Sequence, residues 1–202
     1  MRAAPPTVIL ASASQSRAKL LTAAGIAFAA VPAAVDEQAV KDSLRAEQVT
    51  ALQCAETLAE LKALKVSQAH PQALVIGADQ MLDCHGTWYD KPATLVAARA
   101  HLATLAGKTH LLPTAAVAAM NGVRLWRHVS APRLTMRTLD DEFITAYLER
   151  AGTGVLQSVG AYHLEGLGAQ LFQAVEGDFF TILGLPLLPL LGFLREHGVG
   201  LT

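Results

Sequence analysis

The apolar positions of this chain alternate between a strand period and a helix period, and the changes of period outline its elements. Thr7 to Ala11, with a continuous apolar run from Val8, reads as a short buried strand. Ser14 then offers a helix N-cap, and Gln15 to Ala24 keeps a helical pattern up to Gly25, a residue suited to a helix C-terminus. Ile26 to Val31 predicts a second strand, followed by a loop that carries Pro32, Asp36 and Glu37. A long helix is expected over Ala46 to Gln68, ending before His70-Pro71. Ala73 to Ala78 reads as a strand that ends in Asp79, and Met81 to Cys84 as strand material beyond it, before a loop at Gly86 that carries Lys91-Pro92. Thr94 to Leu105 is helical in pattern. Thr109 to Met120 and Val123 to Arg137 form a hairpin turning at Asn121-Gly122, a dipeptide that accepts positive φ. Asp140 to Arg150 predicts a helix, Gly152 to Gly168 a glycine-rich segment, and Leu171 to Ile182 strand material. The apolar run from Ile182 to Leu194 is interrupted by Gly184, Pro186, Pro189 and Gly192 and falls short of the ~18 residues of a membrane span, so it reads as a buried helix. Helices alternating with strands give an α/β fold with a mixed sheet, and residues 1–202 are taken as a single domain.

Composition narrows the function classes. With 52% hydrophobic residues in 202, the chain has ample core for a domain of this size. Its net charge is -1, from 16 basic and 17 acidic residues, so no global basic field draws it to nucleic acid or anionic membrane. Any anion it binds must be gripped by local groups. Cys54 and Cys84 have neither metal-ligand spacing nor the count of a disulfide framework, which fits a reducing cytoplasm. Arg2 before an apolar stretch imitates a secretion signal, but Pro5 and Pro6 interrupt it and Val8 to Ala11 is too short for an h-region. A mature cytoplasmic protein is expected.

Five places carry candidate chemistry. The segment Ser12-Ala13-Ser14-Gln15-Ser16-Arg17 puts hydroxyls and free backbone N–H groups at a helix N-terminus, where phosphate binding is favoured. The helix end contributes only about 0.3 to 1 kcal/mol at an exposed site, so a polyphosphate needs an added cation, and Arg17 stands in the first turn to supply it. The alternative is that Ser14 only caps the helix and Arg17 is a solvated charge. Asp79 leaves an apolar strand at its carboxyl end, the usual location of α/β active sites, where it can hold Mg²⁺, orient water, or merely form a turn. Asp36 and Glu37 are either solvated or, with Asp79, part of a hard-cation site completed by substrate phosphates. Lys62 falls in the apolar stripe of Ala55, Leu58, Ala59 and Val66, so its ammonium must snorkel or meet an anion. Lys91 is an exposed loop lysine or a phosphate ligand. Gly107-Lys108-Thr109 resembles the end of a P-loop, yet Leu102 stands where the first glycine is required and the order of elements is helix to strand, so it is rejected.

Read together, Leu10-Ala11-Ser12-Ala13-Ser14-x-x-Arg17, Gly77-Ala78-Asp79, Lys91-Pro92, Gly107-Lys108-Thr109-His110 and Gly184-Leu185-Pro186 resemble the Maf family of nucleotide pyrophosphatases, in order and over nearly the whole chain. The resemblance implies an elongated mixed β-sheet flanked by helices, two lobes around a cleft, a homodimer, and a divalent metal, Mg²⁺ or Mn²⁺. It implies release of pyrophosphate and a nucleoside monophosphate from a modified or non-standard nucleotide. By position, Asp79 resembles the catalytic carboxylate and metal ligand, Glu37 and Lys62 the acidic and basic cleft residues, and Ser12, Ser14, Arg17 and Lys91 the groups around the triphosphate. Three positions bear on base specificity. Thymidine- and uridine-directed members carry Arg, Thr and Gln where this chain has Ser16, Gln80 and Glu165, and the segments holding Gln80 and Glu165 resemble the 7-methyl-GTP-directed branch. A carboxylate at Glu165 suits a base that carries positive charge. Ser16 departs from both branches, and Gln15 replaces the common Pro. Two other readings are open: a dTTP- or UTP-directed pyrophosphatase, and a nucleotide-sensing regulator of division with little turnover.

Overall fold

The computed structural model describes residues 5–201, and Arg2 lies outside them. In chain order the elements begin with β1 (Val8–Leu10), α1 (Gln15–Ala23), β2 (Ala29–Ala30), α2 (Glu37–Ala46), α3 (Ala51–Ala69) and β3 (Leu74–Gln80). They continue with β4 (Leu82–Cys84), β5 (Thr87–Tyr89), α4 (Leu95–Leu105), β6 (Thr109–Leu111), β7 (Thr114–Met120) and β8 (Val123–Ser130). The remainder are β9 (Arg133–Met136), α5 (Asp141–Ala151), a series of 3-10 turns, β10 (Phe172–Glu176), α6 (Phe179–Ile182) and α7 (Leu187–Glu196). The chain divides into two compact units: Met1–Gln80, Thr114–Ser130 and Phe179–Thr202 in the first, Met81–Pro113 and Ala131–Asp178 in the second.

The α/β class holds, with the strands distributed over two five-stranded sheets rather than one. In the first unit the order is β2-β1-β3-β7-β8, and the sheet is mixed: β1 is parallel to β2 and β3, and β7 is antiparallel to β3 and β8. Its central strands are buried on both faces. Leu74, Ile76 and Ala78 of β3, with Ala116 and Ala118 of β7, pack with Leu21 of α1 and with Leu187, Leu190, Phe193 and Leu194 of α7. Val75 lies on the opposite face with Ile9, Ala11 and Val66 of α3.

Several boundaries differ from the sequence reading for identifiable reasons. The acidic loop through Asp36 and Glu37 is the start of α2, with Asp36 as its N-cap accepting from Ala39 N at 3.0 Å. The long helix begins at Ala51 rather than Ala46, because Thr50 and Gln53 form a capping box there and Gln48 adopts φ 57°. The hairpin turns at Asn121-Gly122 as expected, with φ of 49° and 73°, but both of its arms are broken by proline. Pro113 separates β6 from β7 and Pro132 separates β8 from β9, and proline cannot donate to a sheet ladder. Strand β10 stops at Glu176, short of the Leu171 to Ile182 stretch that the pattern predicts, and the C-terminal helix starts at Leu187, after Pro186, rather than at Ile182. Beyond β4 the turn at His85-Gly86 leads into β5, which the sequence pattern does not show.

The second unit holds the antiparallel sheet β10-β9-β6-β4-β5. The Gly107-Lys108-Thr109 segment joins α4 to β6, as the rejection of a P-loop requires. His110 of β6 is 1% exposed; its Nε2 is 2.8 Å from Tyr162 Oη, while Nδ1 is buried with no hydrogen-bond partner among the described residues. Burial lowers its pKa from 6.5 to about 4. Between those values the unfolded chain takes up a proton that the folded chain refuses, so this contribution to stability is complete above pH 6.5 and is lost as pH falls toward 4. The loss is expected to reach about 3 kcal/mol. Urea midpoints at pH 7 and pH 4.5 check it; a His110→Leu variant that keeps the whole wild-type pH dependence contradicts the assignment.

Candidate active site

The corner between β1 and α1 is built from its serines outward. Ser14 caps α1 by accepting from Arg17 N at 3.4 Å, and Ser12 Oγ accepts from Ser14 N at 3.2 Å and from Arg17 Nη1 at 3.1 Å. Arg17 Nε donates to Gly184 O at 2.8 Å. Arg17 is therefore a buried, oriented guanidinium, 9% exposed, and not the solvated charge of the alternative reading. Burial pushes it below its ordinary pKa, and the carboxylates of Asp79 and Glu37 act in the opposite direction. Ser16, in the first turn of α1, is half-buried.

The carboxylates reach the same place from the neighbouring strand. Because β1 and β3 are parallel, with Leu10 opposite Ile76, their carboxyl ends lie side by side. Asp79 is near the end of β3 and 5% exposed. Lys62 of α3 donates to Asp79 Oδ1 at 2.6 Å and pairs with Glu37 Oε1 at 2.7 Å. The lysine in the apolar stripe meets two anions. Glu37 is the first residue of α2, where the helix end favours negative charge. Burial alone raises its pKa, but the hydrogen bond and charge of Lys62, with the charges of Lys41 and Arg17, hold it below the ordinary carboxylate value.

Glycine at position 77 makes the Lys62–Asp79 contact possible. A Cβ built on Gly77 overlaps the Ala59 carbonyl oxygen and lies 2.7 Å from Ala63 N and 2.9 Å from Ala63 Cβ. Helix α3 thus rests directly on the backbone of β3, and this lets Lys62, between Ala59 and Ala63, reach Asp79. Among the described residues no group of three or more His, Cys, Asp or Glu side chains forms a metal cage. Asp79 and Glu37, joined through one ammonium, are the carboxylates that would hold a divalent cation alongside substrate phosphates.

The structure therefore brings together Ser12, Ser14, Arg17, Glu37, Lys62 and Asp79 within the first unit. Gln80 is there as well, half-buried, with its amide bonded to the protein's own chain. Lys91 and Glu165 belong to the second unit. Lys91 is exposed just after β5, and Glu165 is exposed with Oε1 3.9 Å from His163 Nδ1. Sequence reasoning missed the structural parts of Gly77 and of the Gly184 carbonyl, although both glycines lie in motifs quoted for the resemblance.

Comparison with known proteins identifies the family. The Maf-like protein family matches residues 7–197. A protein of Rhodospirillum rubrum named nucleoside triphosphate pyrophosphatase is 54% identical over all of both chains. One of the same name in Paramagnetospirillum magneticum is 59% identical over 94% of this chain and 98% of its own. A Rhizobium meliloti protein named 7-methyl-GTP pyrophosphatase is 48% identical over 96% of this chain and 97% of its own. With its family signature spanning both compact units, the chain belongs to the Maf-like protein family.

Proposed function

We propose that this chain hydrolyses a nucleoside triphosphate between its α- and β-phosphates, giving a nucleoside monophosphate and pyrophosphate. The observation that carries the reading is the Glu37–Lys62–Asp79 cluster at the carboxyl end of β3, beside the buried Ser12–Arg17 corner of β1. A triphosphate is a dense anion, and the corner offers it hydroxyls, the N–H groups of a helix start and a fixed guanidinium. Water is the nucleophile, and Asp79 accepts its proton as it attacks the α-phosphorus. Lys62 steadies the two carboxylates and faces the charge that develops on the phosphate oxygens. Lys91 is assigned to the leaving phosphates. Asp79 and Glu37 would hold a divalent cation, Mg²⁺ with Mn²⁺ as substitute, which when bound polarises the phosphoryl oxygens and lowers the pKa of water.

The finer assignment is a modified purine nucleotide, 7-methyl-GTP, supported by the name of the Rhizobium meliloti relative and by the exposed Glu165 carboxylate. Replacing Glu165 by glutamine is expected to reduce the preference for 7-methyl-GTP over GTP about two- to fivefold, the range of one exposed charge interaction. Equal selectivity before and after removes Glu165 from base recognition. Among the described residues no helix is long and apolar enough to cross a membrane. A cytoplasmic homodimer that does not act on nucleic acid completes the reading; light scattering checks the dimer.

The test is incubation of the purified protein with Mg²⁺ and 7-methyl-GTP, dTTP, UTP or inosine triphosphate, with the products resolved. Monophosphate and pyrophosphate are expected. Diphosphate and orthophosphate reject the chemistry, selective turnover of dTTP or UTP moves the substrate assignment, and binding without turnover favours a regulator.

A further inference from the structure

Gln80 follows Asp79 on β3, and its side-chain nitrogen is surrounded by acceptors of the protein itself. Nε2 lies 2.9 Å from Thr114 Oγ1, 3.0 Å from Thr181 O and 3.1 Å from Ile182 O. A primary amide has two N–H bonds, and here three acceptors share them. The two carbonyls belong to the end of α6, whose residues Thr181 and Ile182 are 2% and 5% exposed. Helix α6 has only four residues, too few to hold itself, and carbonyls at a helix end need donors from elsewhere.

That end leads straight to Arg17. Gly184 N donates to Thr181 O at 2.9 Å, so one carbonyl accepts from Gln80, from Gly184 and, at a longer 3.4 Å, from Thr114 Oγ1. Gly184 adopts φ 103°, and its own carbonyl accepts Arg17 Nε at 2.8 Å. A side chain at residue 184 would be strained at that φ and would begin 3.4 Å from Arg17 Nε. The connection runs from the Gln80 amide, through the Thr181–Gly184 turn, to a guanidinium fixed at Nε by Gly184 and at Nη1 by Ser12.

We propose that Gln80 is a positioning residue of the triphosphate grip: its amide straps the α6 turn to the end of β3 and so sets the carbonyl that orients Arg17. The strand that carries Asp79 thereby also aims the guanidinium. The proposal rests on the triphosphate reading given above. It assigns Gln80 to the phosphates, where the resemblance assigns it to the base.

The experiment compares the wild-type protein with Gln80→Leu and Gln80→Glu. The first removes both donors, and the second keeps the shape but turns an acceptor toward two carbonyls. Kinetically, KM is expected to rise about tenfold in each variant, by the same factor for every nucleotide turned over, because the lost alignment concerns phosphates common to all of them. A changed ratio between nucleotides with an unchanged common factor overturns the proposal in favour of base reading. A second readout does not depend on activity. The Arg17 Nε–H signal, assigned by its loss in Arg17→Lys, is expected to exchange with solvent at least about ten times faster in Gln80→Leu than in wild type. Unchanged exchange overturns the proposal. If neither variant folds, the wild-type Gln80 side-chain amide decides: slow exchange of its N–H pair supports the strap, and exchange as fast as an exposed amide overturns it. Wild-type protein that yields no monophosphate and pyrophosphate sinks the triphosphate reading itself, a result distinct from either failure.

Discussion

Replacing Asp79 by asparagine is expected to lower nucleoside triphosphate turnover about 10²- to 10⁴-fold while the protein keeps its fold, because it removes the proposed proton acceptor and cation ligand. The fold survives because Lys62 keeps Glu37 at 2.7 Å, and an asparagine oxygen can still accept from the ammonium. Lys62→Met makes the informative contrast. It leaves Asp79, 5% exposed, without its closest cation, and breaking a buried pair in this way costs about 3 to 5 kcal/mol. Single-turnover product analysis together with urea unfolding separates the two lesions. Wild-type turnover in Asp79→Asn sinks the catalytic assignment, and wild-type stability in Lys62→Met sinks the account of the buried cluster.

Gly77→Ala is expected to cost about 3 kcal/mol or more and to depress turnover without touching any group that meets the substrate. Overpacking a core ordinarily costs about 1 to 3 kcal/mol. Here the added methyl meets the Ala59 carbonyl and the Ala63 nitrogen, which are backbone atoms that no rotamer change can move aside. Helix α3 must shift off β3, and Lys62 moves with it, away from Asp79. Urea unfolding measures the first effect and steady-state kinetics the second. A variant within about 0.5 kcal/mol of wild type, with full activity, shows that α3 tolerates displacement and that the close approach has no part in the site.

How far the site can be read from sequence depends on whether the informative group is a side chain or the backbone. Lys62 announced itself as a charge inside an apolar stripe, a cost that only an anion or solvent relieves, and the structure supplies Asp79 and Glu37. The corner of Ser12, Ser14 and Arg17 was legible for a similar reason, since capping hydroxyls and a cation gather where helix N–H groups lack partners. Gly184 was not, because it contributes a carbonyl, and every residue has one. Asp36 and Glu37 are not distinguishable from loop residues in the sequence, because an acidic pair after a proline fits a turn as well as a helix start; only the bond from Ala39 N to Asp36 decides between them. The division of the hairpin arms between two sheets is marked in the sequence by Pro113 and Pro132, but the residues on both sides of each proline read as strand, which masks the break.

The route of the chain between the two compact units has a consequence for how the protein is made. The crossings fall at 80/81, 113/114, 130/131 and 178/179, so the second unit is synthesised in full before the first can close its core. Leu187, Leu190, Phe193 and Leu194, which cover one face of β3 and β7, leave the ribosome after every residue of the second unit. Until then Val8, Leu10, Leu74 and Ile76 of β1 and β3 lack their partners on α7, and the Ser12–Arg17 corner lacks the Gly184 carbonyl that fixes its arginine. Of the site's contacts, the Glu37–Lys62–Asp79 cluster is complete within the first 80 residues, whereas the anchoring of Arg17 waits for the last segment of the first unit.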